Sequence, residues 1–275
     1  MLMLLYIGGG KMKFSIIIPN YNKAEYIEEC LNSVINQDID NSKYEILFID
    51  DESTDNSLEI AKKFNENIKI ISIQKCGAGG ARNKGIDIAN GDYIVFLDSD
   101  DYLYSTTVLS KLDKQINNQD IIFLNFIKNK FGNVTEIVDD KTNIFEKIKS
   151  TKLLGCPTKC FKRSLIGNTR FSCNQRYEDI NFTLENLCKA NTYDYFNDFF
   201  FTYRKTENSN TTSEINAEAM TDLLIEITKL YYLCIKYPQY KEALLYRIKH
   251  DRLEERMDIL NKLIETGNNT FSDKF

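Results

Sequence analysis

The chain has 275 residues, of which 43% are hydrophobic, and a formal net charge of −5. This length suits one large domain or one domain with an appendage, and the hydrophobic content excludes a disordered chain. The acidic balance argues against non-specific nucleic-acid binding, which requires a basic face. The single histidine, His250, lies far from any nucleophile pattern, which argues against a Ser-His-Asp or Cys-His mechanism.

Seven cysteines are scattered along the chain. Cys156 and Cys160 come closest to metal-ligand spacing, but no second pair and no nearby histidine completes a zinc set. We therefore expect reduced, buried thiols of a cytoplasmic protein. The apolar start, residues 1–7, is too short to span a bilayer and lacks a basic n-region. We expect a frayed leader there and no transmembrane segment elsewhere.

Strands and helices alternate over the first 100 residues. Short apolar runs predict strands at 14–18, 44–50, 68–73 and 92–98. Helical spacing of apolar residues predicts the helices between them, at 24–36, 54–64 and 78–89. The alternation predicts an α/β fold with a mostly parallel central sheet flanked by helices, whose ligands bind beyond the carboxyl ends of the strands. Four loops should therefore gather at one sheet edge: 19–22, 50–55, 75–83 and 98–101.

The pattern changes after residue 104. It predicts a helix at 105–117, a strand at 120–127 with a hairpin partner, a linker at 206–214, and further helices at 179–190, 216–235 and 239–265. In the C-terminal helical extension, acidic residues are interleaved with basic ones. This favours a packed helix pair over a helix lying on a membrane, although peripheral membrane contact and a homodimer through these helices remain alternatives.

The loop after the fourth predicted strand reads DSDD. Asp98 and Asp100 are two residues apart, so in an extended chain both point to the same face. Two hard oxygen ligands on one face suit Mg²⁺ or Mn²⁺ together with phosphate oxygens and water. The alternative is a solvated acidic turn, with Ser105 capping the next helix. If a cation holds the aspartates together, we expect this loop to loosen in its absence.

The loop over 75–83, KCGAGGARN, supplies the opposite charge. Its glycines permit close approach of backbone N–H groups to a diphosphate, and Arg82 and Lys84 lie near a predicted helix start that favours anions. The alternative is a flexible turn. GAGGAR also resembles a dinucleotide fingerprint, but Arg82 stands where the third glycine belongs, which makes an NAD site less favoured.

The loops after the first two strands offer nucleotide contacts. Asp51 can accept hydrogen bonds from a base N–H or a ribose hydroxyl, whereas Ser53 or Thr54 suits a helix cap. Tyr21 offers a ring to pack near a base, although a lone tyrosine is more often part of a core.

Four motifs in order, SIIIPNYN, ILFIDDESTDNS, GAGGARNKGI and GDYIVFLDSDDYL, resemble the family-2 glycosyltransferases of bacterial surface-polysaccharide synthesis. The resemblance is dense over 13–105. It resumes in PTKCFKRSLI, RFSCNQRYEDINFTLEN and FFFTYRKTENSNTT, which resemble the acceptor half of that family. Glu52 departs from the pattern, because glycine is usual there.

The resemblance implies a GT-A domain over 13–210, with a nucleotide-sugar-binding half (13–104) and an acceptor half (105–210), followed by a helical region (211–275). It implies inverting transfer, dependent on Mn²⁺ or Mg²⁺, from a nucleotide-sugar, by the family's habit a UDP-sugar. The acceptor is expected to be a hydroxyl of a glycan or lipid-linked saccharide. The QxxRW box of processive synthases is missing, which favours transfer of a single sugar.

The resemblance also assigns residues. It places Pro19, Asp51, Arg82 and Asp98 in the nucleotide-sugar site, and Tyr21 and Ser99 of the same loops are our further candidates there. It assigns the metal to Asp100, with Asp98 and Asp101 as further candidates. Glu178 and Asp179 match the acidic pair that supplies the catalytic base, usually the aspartate. Without the resemblance, these two acids suit the first turn of an ordinary helix equally well.

Two rival functions stand beside the glycosyltransferase. A nucleotide-binding module that has lost catalysis would bind nucleotide without transfer. An NAD-dependent oxidoreductase explains neither DSDD nor the acidic pair. We expect a cytoplasmic enzyme, with peripheral attachment at the inner face of the membrane as the alternative.

Overall fold

The computed structural model describes residues 12–150, 155–205, 215–250 and 270–271. The expected leader, the expected linker at 206–214 and the part of the last predicted helix beyond His250 lie outside these ranges. Among the described helices, none is both long and apolar enough to cross a membrane.

The strands of the described ranges are between two and thirteen residues long. They are β1 (Phe14–Asn20), β2 (Tyr44–Asp50), β3 (Lys69–Ser72), β4 (Tyr93–Phe96), β5 (Tyr102–Leu103), β6 (Ile121–Lys130), β7 (Asn133–Ile137), β8 (Lys159–Lys162), β9 (Tyr193–Lys205), β10 (Ile215–Asn216) and β11 (Thr270–Phe271).

The helices alternate with these strands in the first half of the chain and dominate its end. They are α1 (Ala24–Ile35), α2 (Ser57–Lys62), α3 (Gly77–Ile88), α4 (Val108–Gln115), α5 (Ile144–Lys149), α6 (Arg163–Ile166), α7 (Asp179–Lys189), α8 (Ala217–Lys236) and α9 (Lys241–His250).

The central sheet has the strand order β3-β2-β1-β4-β8-β6-β9-β5, with β7 paired to β6. The first four strands in this order are parallel, whereas β8 runs antiparallel to both of its neighbours. The predicted α/β fold and the parallel first half are therefore confirmed, and the second half is mixed. In a parallel arrangement the loops that follow β1, β2, β3 and β4 share one edge, as expected.

Two predicted helix starts are wrong by three residues. Helix α4 begins at Val108 rather than at 105. Helix α2 begins at Ser57 rather than at 54, and the side chain of Asp55 accepts the Ser57 N–H at 2.9 Å. The hydroxyl of Ser53 does not cap this helix but accepts from the side chain of Asn20 at 3.0 Å. The polar residues after β2 therefore tie two loops together instead of starting a helix.

The core lies on both faces of the sheet. Strand β1 is buried along its whole length, so Ile17 packs into one hydrophobic cluster and Ile16 into the other. Full burial on both faces explains why this strand reads as a continuous apolar run. Helices α8 and α9 belong to the same cluster as Ile17, through Leu223 and Leu244 among others. The described C-terminal helices therefore share the core of the sheet.

Helix α3 approaches β1 closely because residue 85 is glycine. A Cβ at Gly85 would lie 2.4 Å from Cγ2 of Ile17, whose side chain is completely buried. We expect Gly85→Ala to lower the free energy of unfolding by about 2 kcal/mol, the usual cost of overpacking a rigid core. Thermal or urea unfolding measures this. The control is Lys84→Ala, at an exposed position on the same helix, and an equal loss in both variants would contradict the packing explanation.

Candidate active site

The loops that follow the four parallel strands contact one another. The N–H of Asp51 donates to the carbonyl of Asn20 at 2.8 Å, which joins the first two loops. The N–H of Cys76 donates to the carboxylate of Asp51 at 2.7 Å, which joins the second and third. The predicted gathering of these loops at one edge of the sheet is confirmed.

A buried arginine connects the donor half of this edge to the acidic pair of the second half. Arg82, on α3, donates from Nη2 to Asp98 at 2.8 Å and from Nη1 to Glu178 at 2.6 Å. Its side chain is only 7% exposed, and its Nε is buried without a partner in the ranges that the structure describes. A buried cation requires such partners, so the two carboxylates fix its position and it fixes theirs.

Each aspartate of the DSDD loop has a partner from a different element. Asp98 is paired with Arg82, whereas Asp100 is paired with the ammonium of Lys23 at 2.7 Å. The carboxylate of Asp101 accepts the backbone N–H of Arg204 at 2.7 Å. Groups of the chain itself therefore partner all three carboxylates, and the expected loosening of the loop in the absence of a cation stays a prediction.

Asp101 differs from its neighbours in being almost completely buried. Burial, and then the charges of Asp98 and Asp100, raise the pKa of the Asp101 carboxyl well above its ordinary value. Its Oδ2 has no hydrogen-bond partner within the described residues. Ser99 is also buried, inside the turn that the Asp101 N–H closes by donating to the carbonyl of Asp98 at 2.9 Å. The loop therefore contains one carboxyl oxygen that lacks a proton donor or a cation.

The acidic loop fits a divalent cation that brings its own oxygen ligands. Within the described residues no group of three His, Cys, Asp or Glu side chains converges into a closed metal cage. Mg²⁺ and Mn²⁺ are usually held by one or two protein carboxylates with phosphate oxygens and water. Asp100 and Asp98 are hard, partly exposed oxygen donors of this kind. The ammonium on Asp100 shows that the position already attracts positive charge.

The glycines of the third loop have a packing role. Gly79 and Gly80 lie in the first turn of α3, and a Cβ at Gly79 would lie 2.0 Å from the carbonyl oxygen of Ser172. The N–H of Gly77 donates to Asp51 at 3.0 Å. Because residue 79 has no side chain, α3 can contact the segment that leads to Glu178. The expected approach of this loop's N–H groups to a diphosphate stays a prediction.

The expected nucleotide contacts lie around the same edge. Pro19 is buried in β1, and Asp51 is buried with its carboxylate 3.4 Å from the Lys75 ammonium. Tyr21 is 43% exposed, and the ammonium of Lys75 lies over its ring. Its exposure excludes the alternative that this tyrosine is part of the core. An exposed ring beside a flexible lysine is free to receive a base in place of the lysine.

The acidic pair stands where α7 begins. Glu178 is engaged with Arg82, whereas Asp179, the first residue of the helix, makes no hydrogen bond within the described ranges. Burial raises the pKa of the Asp179 carboxyl to about 6, with a further upward contribution from Glu178 and a downward one from Arg82. The two acids therefore differ: one is a fixed counter-ion, and the other is available as a base near neutral pH.

Three functional contributors were missed by the sequence analysis, because charged side chains were taken as solvated. Lys23 follows PNYN and pairs with Asp100. Arg204, at the end of β9, positions Asp101 through its backbone and stacks against Tyr26 and Tyr102. The third, Lys159, is described next. Lys159 and Arg204 lie inside segments that resemble the family's acceptor half, whereas Lys23 directly follows the motif SIIIPNYN.

Lys159 is a buried lysine of β8. Its ammonium donates to the carbonyl of Gly155 at 3.2 Å and to the hydroxyl of Thr158 at 2.9 Å. Burial lowers the pKa of Lys159 to about 8, against an upward contribution from acidic groups that include Asp179. A cation at this position lowers the pKa of Asp179 in return. Lys159 therefore stabilises the ionised form of the expected base.

A buried glutamate of α8 holds the segment around the acidic pair. Glu226 accepts from the hydroxyl of Ser172 at 2.6 Å, from the side chain of Asn181, and from the ammonium of Lys229 at 2.8 Å. Ser172 precedes Glu178, and Asn181 follows Asp179. Helix α8, which the sequence analysis assigned only to a C-terminal extension, thus anchors the catalytic segment on both sides.

The cysteines take no part in this arrangement as metal ligands. All seven are free; five are buried, whereas Cys76 is half-buried and Cys173 is exposed. The expectation of reduced, buried thiols is confirmed for those five.

A sheet of this topology, with an acidic DXD loop, a buried arginine and a second acidic pair at its carboxyl edge, defines a glycosyltransferase of GT-A fold. The model of Glycosyl transferase family 2 matches residues 15–174, more than half of the chain. The chain belongs to this family, and it is an enzyme of the glycosyltransferase class.

Similar proteins act on, or bind, related molecules. The poly(ribitol-phosphate) beta-glucosyltransferase of Bacillus spizizenii is 37% identical over 203 residues, which are 67% of this chain and 32% of that protein. The chain thus spans about a third of that relative. The structure of S. aureus TarS 1–349 in complex with UDP-GlcNAc has a TM-score of 0.72 at 24% identity and covers 86% of this chain and 72% of that one.

A third comparison concerns a bound metal. The mannosyltransferase PcManGT from Pyrobaculum calidifontis, in complex with GDP-Man and Mn²⁺, has a TM-score of 0.62 at 16% identity. The matched region covers 87% of this chain and 70% of the PcManGT chain. At this identity the likeness shows the GT-A fold, which the sequence analysis predicted. The NAD-dependent alternative is not supported by any of these comparisons.

The anchoring by α8 leads to a stability prediction. We expect Glu226→Ala to lower the free energy of unfolding by about 3 kcal/mol, because charged hydrogen bonds to Ser172 and Asn181 are lost from a buried position. Urea unfolding measures this. The matched control is Glu185→Ala, which breaks a more exposed α7–α8 ion pair with Lys236 at 2.6 Å and should cost less than about 1 kcal/mol. Similar losses in the two variants would contradict the anchoring role.

Proposed function

We propose that this chain is an inverting, metal-dependent transferase that moves a single sugar from a UDP-sugar to a hydroxyl of a cell-surface polymer. The observation that supports this most is the Arg82 bridge, which brings the donor-side Asp98 and the catalytic-pair Glu178 to one guanidinium. Beside it lies Asp179, with a raised pKa and no hydrogen-bond partner in the described ranges. A carboxyl group with a raised pKa beside the expected donor site supports general-base catalysis by Asp179.

On the donor side, Pro19, Tyr21 and Asp51 would contact the nucleoside, and Asp98 with Ser99 would lie near the ribose and the sugar. The UDP-GlcNAc complex of the structural neighbour TarS supports a uridine nucleotide. Asp100, assisted by Asp98 and Asp101, would hold Mn²⁺ or Mg²⁺, and the Mn²⁺ complex of PcManGT supports a divalent cation. Such a cation supplies positive charge to the departing diphosphate.

On the acceptor side, Asp179 takes the proton of the acceptor hydroxyl. The hydroxyl oxygen then bonds to the anomeric carbon of the sugar as the bond from that carbon to the diphosphate breaks. Attack from the face opposite the diphosphate inverts the configuration, and general-base help of this kind contributes about 10²–10⁴-fold to the rate. Arg82 holds the Glu178 carboxylate in place, and burial together with the neighbouring Glu178 raises the pKa of Asp179. Lys159 limits that rise, so that the base is ionised at neutral pH.

The acceptor class follows from the relatives. The Bacillus spizizenii protein is named for transfer to poly(ribitol-phosphate), a polymer that presents many hydroxyls. We propose a hydroxyl of such a polymer, or of a lipid-linked saccharide, as the acceptor. The absence of the QxxRW box from the sequence supports addition of one sugar rather than chain extension.

The proposed function is tested by incubating the purified chain with Mn²⁺ and a panel of nucleotide-sugars, with and without a poly(ribitol-phosphate) acceptor. Transfer should occur with one UDP-sugar. Asp179→Asn should reduce kcat by at least about 10²-fold while thermal protection by UDP and Mn²⁺ persists. Protection without transfer in either protein would instead favour a nucleotide-binding module, and no protection by any nucleotide would contradict the proposal.

The raised pKa of Asp179 predicts a pH dependence. The base works only when ionised, so kcat/KM should be constant above about pH 7 and fall roughly tenfold per unit below the pKa of about 6. The measurement is the pH profile of kcat/KM for the acceptor, with protection by UDP recorded at each pH as a control for folding. A profile flat down to pH 4.5 would show that Asp179 does not act as the base.

A further inference from the structure

We propose that Lys23 is an exchangeable counter-ion of Asp100. It holds this carboxylate in the free enzyme and competes with the divalent cation, so that the site fills when cation and nucleotide diphosphate arrive together. The inference rests on the proposed metal-dependent function and deepens it, because it assigns a role to a residue that the family motifs do not include.

The ion pair between Lys23 and Asp100 can separate, because both side chains are partly exposed to solvent. The ammonium of Lys23 lies 2.7 Å from Oδ2 of Asp100, and the two side chains are 25% and 19% exposed. The backbone of Lys23 is fixed just before α1, where its N–H donates to the hydroxyl of Ser57 at 3.0 Å. A fixed backbone with a long, solvated side chain lets the ammonium leave without any change of fold.

The other pair of this loop differs in this respect. Arg82 is 7% exposed and is bound to Asp98 and Glu178 at once, so removing it would leave two carboxylates without their cation. The cost of that loss makes Arg82 a permanent partner. Asp98 therefore stays fixed, and Asp100 is the carboxylate that can be released to a new cation.

Lys23 borders open space. It lines a cavity of about 730 Å³ together with Asn22, Glu25, Asp55, Arg204 and Lys205 among others. This space allows the ammonium to leave Asp100 without displacing a packed group.

The exchange has a measurable consequence. A partly exposed ion pair contributes up to about 1 kcal/mol, which corresponds to about a fivefold effect on the affinity of a competitor. Removing the ammonium should therefore tighten the binding of Mn²⁺ about fivefold. If Lys23 only supported the loop, its removal would have the opposite effect, because a less ordered Asp100 would bind Mn²⁺ more weakly.

The experiment measures free Mn²⁺ by electron paramagnetic resonance during titration of the full chain without nucleotide. Lys23→Met should bind Mn²⁺ about fivefold more tightly than the wild type, and Lys23→Arg should stay close to the wild type because it keeps the charge. The matched control is Lys43→Met, which removes a pair of the same length, 2.7 Å, with Asp113 away from the site. It should leave Mn²⁺ affinity unchanged.

Mn²⁺ binding by Lys23→Met that is equal to or weaker than that of the wild type would overturn the inference, as would an identical gain in Lys43→Met. Sugar transfer by the wild type is measured separately. Metal-dependent transfer with no effect of Lys23→Met would refute this inference alone. Tighter Mn²⁺ binding without transfer of any sugar would refute the proposed function and leave Lys23 as the counter-ion.

Discussion

The structure depends on one electrostatic constraint: carboxylates crowded at one sheet edge need positively charged partners, and only a few are present there. Arg82 satisfies it for Asp98 and Glu178 from a buried position, which connects the donor loop to the catalytic pair. Lys23 is the positive partner of Asp100 and occupies a more exposed position. The difference in burial separates a permanent link from an exchangeable one, since losing a buried partner costs far more than losing a solvated one.

The same constraint explains why Asp179 differs from Glu178. Once Arg82 is committed to Glu178 and Asp98, Asp179 is left near two negative charges without a direct cation, and its burial raises its pKa toward neutrality. Lys159, buried among polar oxygens at the start of β8, supplies a weaker balancing charge. A base poised near neutral pH thus follows from how few cations the site contains, not from any special property of the aspartate.

The sequence predicted the parts of the fold that depend on local pattern. Strand β1 is a buried apolar run, and the loops after the first four strands meet because parallel strands end on one side. Arg82, Asp98 and Glu178 were assigned from motifs. The contact of the Arg82 guanidinium with both acids could not be assigned in this way, because it depends on packing between residues nearly a hundred positions apart.

The rest could not be predicted because it depends on burial of charged residues. Glu226 in a helix of mixed polarity suggests a solvated face, yet it is buried and holds Ser172 and Asn181. The glycine at 79 suggested a ligand loop, whereas its missing side chain admits the Ser172 carbonyl. The domain boundary near 210, a dimer through the C-terminal helices and peripheral membrane contact stay predictions.

The most direct measurement of the central claim is a crystal structure of the chain with Mn²⁺ and UDP. Neutralisation by separate partners predicts that an Asp100 oxygen binds the cation, that the Lys23 ammonium has left Asp100, and that Arg82 still bridges Asp98 and Glu178. A structure in which Lys23 remains on Asp100 while the cation binds elsewhere, or in which the Arg82 bridge has opened, would contradict the account.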